Sequence, residues 1–226
     1  MAEVLAPDPV ATRLANLAEL QRLGLPLPPE TFPFVWEPGD LVSLRPTREI
    51  EARAAVLAII LERCFGMPPE IALAWLDDNR LNDEVTDFEF DFIKGDVGDH
   101  HAFALHLDAL AALTWVLGIG RRLDPTSPPE PHGPLLPDFA TGESFAHWRG
   151  RMLPAPREPE LVAAVLDLYY CLDWAFLTVE SAGGDRPGVL GSASIGQRRW
   201  GLEWATVLSG PYQDPPGGWE EIDLST

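Results

Sequence analysis

The sequence predicts a mainly α-helical protein, a single globular helical domain with an irregular, proline-rich N-terminal arm and a long, proline-rich internal loop. Three observations support this fold class. Apolar residues recur at intervals of three and four along most of the chain, which is the period of a helix that buries one face. Hydrophobic residues make up 46% of the 226 residues, enough to form a core. No segment alternates convincingly between apolar and polar residues, as a half-buried strand would.

Residues 1–40 are predicted to form an N-terminal helix and a proline-rich arm, ahead of a helical domain over residues 41–226. Asp8 suits the N-cap of the helix because a proline follows it, and leucines then recur at helical spacing until Gly24. The arm that follows is expected to lie on the body of the protein, because its aromatic residues need apolar surroundings. These aromatic residues are Phe32, Phe34 and Trp36.

Three helices are predicted next. Thr47 is placed as the N-cap of the first helix, whose apolar face runs over Ile50–Leu61 and which ends at Gly66. Two prolines open the second helix, which covers residues 69–76. The Thr86–Glu89 segment has the spacing of a capping box, in which each side chain bonds the other residue's backbone N–H. A short third helix is therefore expected to begin there.

A long apolar run over Asp99–Leu117 predicts one continuous central helix. Because apolar residues occupy more than one of its faces, it is expected to pack against two other helices. One is the Ile50–Leu61 helix, and the other is a later helix over Pro159–Ser181, whose apolar residues step by three and four. Trp115 lies near the end of the central run and is expected to be a core residue.

The remaining elements are a loop and a final helix. Nine prolines within residues 124–159 predict a long irregular loop, with a short helix around Glu143–Arg149. The Ser194–Gln197 segment has the spacing of a second capping box, which predicts that a helix begins there and runs to Trp204.

Six segments of the chain, taken in order, resemble those of a known family. The segments are Arg45–Ala54, Trp75–Leu76 with Leu81 and Thr86–Glu89, Ala111–Gly118, Asp167–Ala175, Gln197–Trp204 and Trp219–Ile222. They are similar to the DUF4272 family, a bacterial domain family of unknown function, over residues 45–222. The resemblance implies a mainly helical bacterial domain. It implies no reaction, substrate or cofactor.

The charge excludes several partners. The chain has 16 Lys and Arg against 35 Asp and Glu, a formal net charge of −19. Nucleic acids and anionic membranes both attract cationic surfaces, so neither is an expected partner. The apolar run Leu110–Ile119 is too short to span a bilayer, and no basic, apolar leader opens the chain. Cys64 and Cys171 lie in apolar helical stretches, which indicates reduced thiols and a cytoplasmic protein.

No cofactor is expected. The single lysine, Lys94, is not in a glycine-rich phosphate loop, and Gly118–Gly120 lacks the third glycine and the preceding strand of a dinucleotide fingerprint. No metal site is expected either. The weak candidates for metal ligands are Asp96, Asp99, His100, His101 and His106. They are better explained as the polar start of a helix, since Asp is a favoured N-cap residue.

Charged residues stand within two aromatic helices. Asp167, Tyr170, Asp173 and Trp174 belong to one helix, and Arg198, Arg199 and Glu203 belong to the next. One interpretation is that arginine–carboxylate pairs brace the two helices. The other is that they form a polar pocket, walled by tryptophan, that binds a small ligand. In both cases at least one of the two arginines is expected to pair with an acid on the first helix, because a lone charge there is costly.

Three function classes follow, and the sequence leaves all of them open. The first is a non-catalytic protein-interaction module, whose acidic character suits a basic protein partner. The second is a small-molecule binder that uses the Trp/Arg/Asp pocket. The third is an enzyme of unknown reaction that uses the Asp/His cluster. An interaction module should expose one acidic or apolar patch, a binder should have a pocket at the arginines, and an enzyme should gather titratable groups in a cleft.

Overall fold

The computed structural model describes residues 3–95, 98–130, 135–152 and 155–225. The chain forms a mainly helical domain, 57% helix, with one small three-stranded sheet in the described part, as the sequence predicts for the fold class. The helices are α1 (Pro9–Arg22), α2 (Thr47–Cys64), α3 (Pro69–Asp78), α4 (Asp87–Gly95), α5 (His100–Ala104), α6 (His106–Val116), α7 (Phe145–Met152), α8 (Pro159–Ser181) and α9 (Ser192–Ala205). The strands are β1 (Val4–Leu5), β2 (Leu41–Leu44) and β3 (Thr206–Ser209).

The helices pack in a continuous series. Helix α1 lies on α8, α8 on α9, α9 on α6 and α6 on α2, while α3, α4, α5 and α7 surround α2. Helix α2 is buried along almost its whole length, because the smaller helices cover the sides that α6 leaves free. The sheet lies against α8, and its strand β2 leads into α2 after two residues.

The predicted contact between the Trp115 helix and α8 is wrong. Helix α6, which carries Trp115, packs on α2 and α9, and α9 is the helix that lies on α8. The reason is the close approach of α9 to α6 at Gly201. A Cβ added at Gly201 would lie 2.8 Å from the Ala109 carbonyl oxygen and 3.0 Å from the Ala112 Cβ. Only glycine therefore allows this approach.

The predicted central helix is also interrupted. Residues 100–116 form two helices, α5 and α6, which meet at Leu105. The Leu105 amide donates to the Ala102 carbonyl at 3.2 Å, and the Asp108 amide donates to the Leu105 carbonyl at 3.0 Å. These bonds to the third preceding residue tighten the turn. They let Phe103 stack on Phe92 at a centroid distance of 4.0 Å while α6 packs on other helices.

The predicted helix starts are confirmed in part. The Glu89 amide donates to Thr86 Oγ1 at 3.3 Å and the Thr86 amide to Glu89 Oε2 at 3.0 Å, so this capping box is formed. Ser194 is not a cap, because α9 begins two residues earlier, at Ser192. Glu180 of α8 accepts from the Ser192 amide at 2.9 Å and satisfies that end of α9 instead. Thr47 likewise lies inside α2.

The sheet is a feature that the sequence analysis missed. β2 pairs antiparallel with both β1 and β3, with Leu44 opposite Thr206. The pairing of β2 with β3 joins the end of the N-terminal arm to the segment that follows α9. Val42 and Leu208 face a small second core with Trp36 and Ala163 of α8. Strands of two to four residues are too short for an alternating pattern to identify them.

The internal loop contains more structure than the sequence indicates. A 3-10 turn covers Phe139–Thr141, and α7 follows two residues after the predicted start at Glu143. Trp148 of α7 is 1% exposed, and its indole N–H donates to the Leu135 carbonyl at 3.0 Å. The loop is therefore anchored to the core through an aromatic side chain.

Helix α8 is, among the described residues, the one helix long and apolar enough by length and composition to cross a membrane. The sequence analysis expected no run of that length. The finding is weak evidence, because the core helix of a globular fold passes the same test. Here 56% of the apolar window is buried, and α8 packs against α1, α9 and the sheet. It also carries two buried aspartates, Asp167 and Asp173.

Candidate functional site

Buried arginine–carboxylate pairs connect successive elements of the fold. Four buried arginines each meet a buried acid from another element, and Arg149, whose side chain is 37% exposed, meets a fifth buried acid. The pairs are Arg13–Asp167 between α1 and α8, Arg199–Asp173 between α9 and α8, Arg198–Asp108 between α9 and α6, Arg53–Glu89 between α2 and α4, and Arg149–Glu51 between α7 and α2. A buried charge without a partner is costly, so each pair constrains how two elements meet.

The pair of Arg199 and Asp173 confirms the predicted contact between the two charged helices. Arg199 Nη1 lies 2.9 Å from Asp173 Oδ2, and Arg199 Nε lies 3.2 Å from Glu203 Oε2. The guanidinium also lies 4.6 Å from the centre of the Tyr170 ring. Burial raises the pKa of Asp173 and of Glu203, although Arg199 acts in the opposite direction. Arg199, Asp173, Glu203 and Tyr170 thus contact one another and join α8 to α9.

Asp167 has partners that the sequence analysis missed. Arg13 Nη2 of α1 donates to Asp167 Oδ1 at 2.7 Å, and Asn16 Nδ2 donates to Asp167 Oδ2 at 2.9 Å. Phe32 of the arm lies 4.7 Å from the Tyr170 ring, measured between centroids, and 6.1 Å from Trp174. The arm therefore covers this side of α8. The sequence did contain one indication of this contact. Arg13 lies seven residues before Leu20, so both belong to the side of α1 that faces the core.

Arg198 is separated from the other predicted pocket residues. Adjacent helical residues point about 100° apart, and Arg198 accordingly faces α6. Its Nε donates to Asp108 Oδ1 at 2.8 Å and its Nη2 to the Ser127 carbonyl at 3.0 Å. Its Nη1 lies 3.4 Å from the hydroxyl of Tyr169, whose pKa burial raises to about 12. Of the seven predicted pocket residues, Tyr170 and five others therefore lie on one side of α9. Arg198 lies on another side and holds the 120–130 loop. A ligand pocket at these residues stays a prediction.

The weak metal candidates have other contacts. Asp99 caps α5, accepting from the His101 amide at 2.8 Å. His100 packs on Phe92, while His106 packs on Phe103 and lies 3.3 Å from Gln197 Oε1. Burial lowers the pKa of His106. Asp96 lies outside the described residues, and within the described ranges no three His, Cys, Asp or Glu side chains are arranged to hold a metal ion.

A broad cleft of about 1190 Å³ lies between the end of α2 and residues 136–151. Glu143 in its wall accepts from Arg151 Nε at 2.9 Å, which lowers the pKa of Glu143 to about 2. So acidic a carboxyl is a weak base at neutral pH. Ser144 Oγ accepts from the His147 amide at 3.2 Å and caps α7. These contacts are structural and do not activate a nucleophile.

The pKa of Glu143 predicts a loss of stability in acid. The folded value of about 2 is below the ordinary value of 4.5, so the stabilisation is complete above about pH 4.5 and is lost as the pH falls to 2. We expect Glu143→Gln to cost about 1 kcal/mol at pH 7, because Arg151 is partly exposed to water. Urea unfolding from pH 7 to pH 2 measures the effect. Glu62→Gln, in the same cleft, is the control. Parallel stability curves for wild type and Glu143→Gln would contradict the prediction.

The outer side of α4 exposes two phenylalanines around two acids. Phe88 is 56% exposed and Phe90 38% exposed, and Asp87 and Asp91 are exposed as well. At 100° per residue, the two aspartates lie one turn apart between the two phenylalanines. Phe88 also stacks on Phe103 with centroids 5.1 Å apart. We call the four residues Asp87, Phe88, Phe90 and Asp91 the α4 face. Other exposed acids are Asp83, in the turn before α4, and Asp77 and Asp78, at the end of α3, which packs on α4.

Together these features define a class of protein: a mainly helical domain of formal net charge −19, braced by buried arginine–carboxylate pairs. The chain belongs to the DUF4272 family, described as a domain of unknown function, whose family model matches residues 13–222. This confirms the resemblance noted in the sequence. The match begins at Arg13, within α1, and the division of the chain at residue 40 stays a prediction. Neither a curated protein nor a solved structure matches the chain.

Proposed function

We propose that this protein is a non-catalytic interaction module that binds a basic protein partner through the α4 face. The observation that carries the proposal is the exposure of Phe88 and Phe90 on either side of Asp87 and Asp91. Exposed aromatic side chains are frequent anchors of protein interfaces. Carboxylates beside them favour a cationic partner and speed its association.

The distribution of charge supports a basic partner. Five arginines are buried inside the fold: Arg13, Arg53, Arg63, Arg198 and Arg199. Seven acids are buried as well, so most of the excess of 35 acids over 16 Lys and Arg belongs to residues outside the core. The exposed acids near α4 therefore present an acidic patch to solvent. The net charge and the thiols of Cys64 and Cys171, which no disulfide joins, suit the proposed location in a bacterial cytoplasm.

The other two function classes have weaker support. In the Trp/Arg/Asp cluster the arginines are already paired, which favours bracing over ligand binding. An enzyme would need a group poised to accept or donate a proton at the reacting atom. Burial raises the pKa of Cys171 to about 12, so its thiol is a poor nucleophile at neutral pH.

The proposal is tested with a fluorescein-labelled, 20-residue amphipathic peptide of lysine, arginine and leucine, titrated with the protein by fluorescence anisotropy. The double variant Phe88→Ala/Phe90→Ala removes the apolar contacts, and Asp87→Asn/Asp91→Asn removes the charges. Each is expected to weaken binding about tenfold, equivalent to about 1.4 kcal/mol. The charge variant should also show a smaller dependence of affinity on salt.

The control replaces two exposed acids elsewhere, Asp185→Asn/Asp214→Asn, and changes the net charge by the same amount. We expect it to bind the peptide within about twofold of wild type, since distant charges are screened. An equal loss in the control and in the α4 variants would show that only net charge matters. That result, or equally tight binding of a peptide in which glutamate replaces lysine and arginine, would overturn the proposal.

A further inference from the structure

A second cleft, of about 660 Å³, opens beside the N-terminal end of α4. Its wall is formed by the start of α2, the turn before α4, the end of α9 and the C-terminal segment Gly217–Glu221. Asp87 belongs both to this cleft and to the α4 face. Ligand clefts commonly have volumes of about 300–1,000 Å³. We call this space the tryptophan cleft, because Trp204 and Trp219 line it.

The two tryptophans offer unused hydrogen-bond donors. Trp204 is 6% exposed and Trp219 7% exposed, and their rings meet edge to face with centroids 5.4 Å apart. Neither indole N–H has an acceptor among the described residues, and neither nitrogen is fully enclosed. A buried tryptophan usually finds a partner for this group. The indole N–H groups that do have protein acceptors are those of Trp36, Trp75, Trp148 and Trp200.

Two arginines hold the tryptophan rings in place. Arg53 lies over the Trp219 ring at 4.3 Å, and Arg45 lies over the Trp204 ring at 4.8 Å. Arg53 is itself fixed by the Glu89 carboxylate and donates to the Glu84 carbonyl at 3.0 Å. Each guanidinium thus covers one face of an indole ring and stabilises its position. Both indole rings are therefore packed against guanidinium groups of the protein itself.

Carboxylates surround the same space. Asp83, Asp87 and Glu220 line the cleft, and none of the three makes a hydrogen bond or ion pair with a described residue. Two other acids in the wall form ion pairs with arginines of the described residues, and both pairs are long. Glu49 lies 3.8 Å from Arg45, and Glu84 lies 3.8 Å from Arg48. The wall is therefore net acidic, and it also contains two tryptophans whose N–H groups have no acceptor among the described residues. A ligand that suits both has a cationic group and a carbonyl oxygen.

We propose that the tryptophan cleft takes one arginine residue of the basic partner together with its flanking backbone. The arginine guanidinium binds Asp83, Asp87 and Glu220, and a main-chain carbonyl accepts a hydrogen bond from Trp204 or Trp219. Arginine suits the site better than lysine because its planar group can bind two carboxylates at once. The inference rests on the proposed function, since it identifies which residue of the partner gives specificity.

The test uses the acetylated and amidated tripeptide Gly-Arg-Gly and observes the tryptophan indole N–H signals of the whole protein by ¹H–¹⁵N NMR. Trp204→Phe and Trp219→Phe assign the two signals by their disappearance. We expect these signals to shift during the titration while those of Trp36 and Trp148 stay in place. The matched tripeptide Gly-Gln-Gly is expected to cause no shift.

Variants separate binding from folding. Trp204→Phe and Trp219→Phe each keep an aromatic ring but remove the donor, and the variant that loses the carbonyl contact should bind Gly-Arg-Gly about fivefold more weakly, as for a lost neutral hydrogen bond. Asp83→Asn/Glu220→Asn should weaken binding further without changing the α4 face. Trp174→Phe, on α8, is the matched control. Thermal unfolding of each variant shows whether it is folded.

Two results overturn the inference. One is a titration in which the Trp204 and Trp219 signals do not shift; the other is an equal shift with acetylated, amidated Gly-Glu-Gly, which would make the cleft an anion site. These results are distinct from failure of the proposed function. If the long basic peptide still binds and still depends on Phe88 and Phe90, the α4 interface stands and only the arginine site is lost.

Discussion

Replacement of Arg53 by methionine is expected to lower the free energy of unfolding by about 3–5 kcal/mol. Arg53 and Glu89 are each 2% exposed, and the guanidinium binds both carboxylate oxygens. Without the arginine, Glu89 keeps a charge in a place with little water. The Trp219 ring also loses the cation that lies over it. Urea unfolding at pH 7 measures the loss.

Two comparisons show whether the lone charge is the cause. The double variant Arg53→Met/Glu89→Leu removes both charges and is expected to be more stable than the single variant, because apolar residues of similar volume replace a buried pair at little cost. Arg22→Met breaks the pair with Glu19, in which the arginine side chain is 67% exposed, and should cost far less, because exposed ion pairs contribute little to stability. If Arg53→Met were no more damaging than Arg22→Met, water would reach Glu89 and the bracing role would be refuted.

Replacement of Trp115 by alanine is expected to cost about 3–5 kcal/mol, as for other large aromatic side chains removed from a core. Trp115 is 7% exposed and lies on α6, which packs on both α2 and α9. Arg157 lies over its ring at 4.6 Å and donates to the Trp115 carbonyl at 2.8 Å. The truncation thus leaves a cavity and removes the surface on which Arg157 rests.

Leu107→Ala is the matched control for Trp115→Ala, because Leu107 belongs to the same helix but is 38% exposed. It removes apolar area without opening a cavity, so its expected cost is about 1 kcal/mol or less. Thermal unfolding of both variants compares the two positions. A shift of only a degree or two for Trp115→Ala would contradict the prediction and would place Trp115 outside the core.

Local sequence signals identified the helices because a helix, like the signals that predict it, depends on residues that are close together in the sequence. The Thr86–Glu89 box, the proline before α3 and the apolar steps of α8 each involve residues within a turn or two. The same reasoning failed at Ser194, where the first turn of α9 is satisfied by Glu180 from another helix. A pattern within one segment carries no information about a donor or acceptor that comes from a different segment.

The candidate sites show the same limit. The charges on α8 and α9 correctly indicated the Arg199–Asp173 pair, because a buried charge needs an opposite charge nearby. The partner of Asp167 lies on α1, 154 residues earlier, and the partner of Arg198 lies on α6. The tryptophan cleft joins residues from 45 to 221 and was not predicted. Its residues become neighbours only when α2, α4, α9 and the C-terminal segment meet.

The sequence by itself determined the helical class, most helix positions, the acidic charge and the membership of the family, because these depend on composition, local periodicity and ordered motifs. Only the tertiary structure decided that α9 lies between α6 and α8, which acid each paired arginine meets, and that Trp204 and Trp219 share one cleft. The physical reason is that these outcomes depend on close approach between distant segments. At Gly201, for example, the missing Cβ allows α9 to approach α6 closely, and α9 rather than α6 lies on α8.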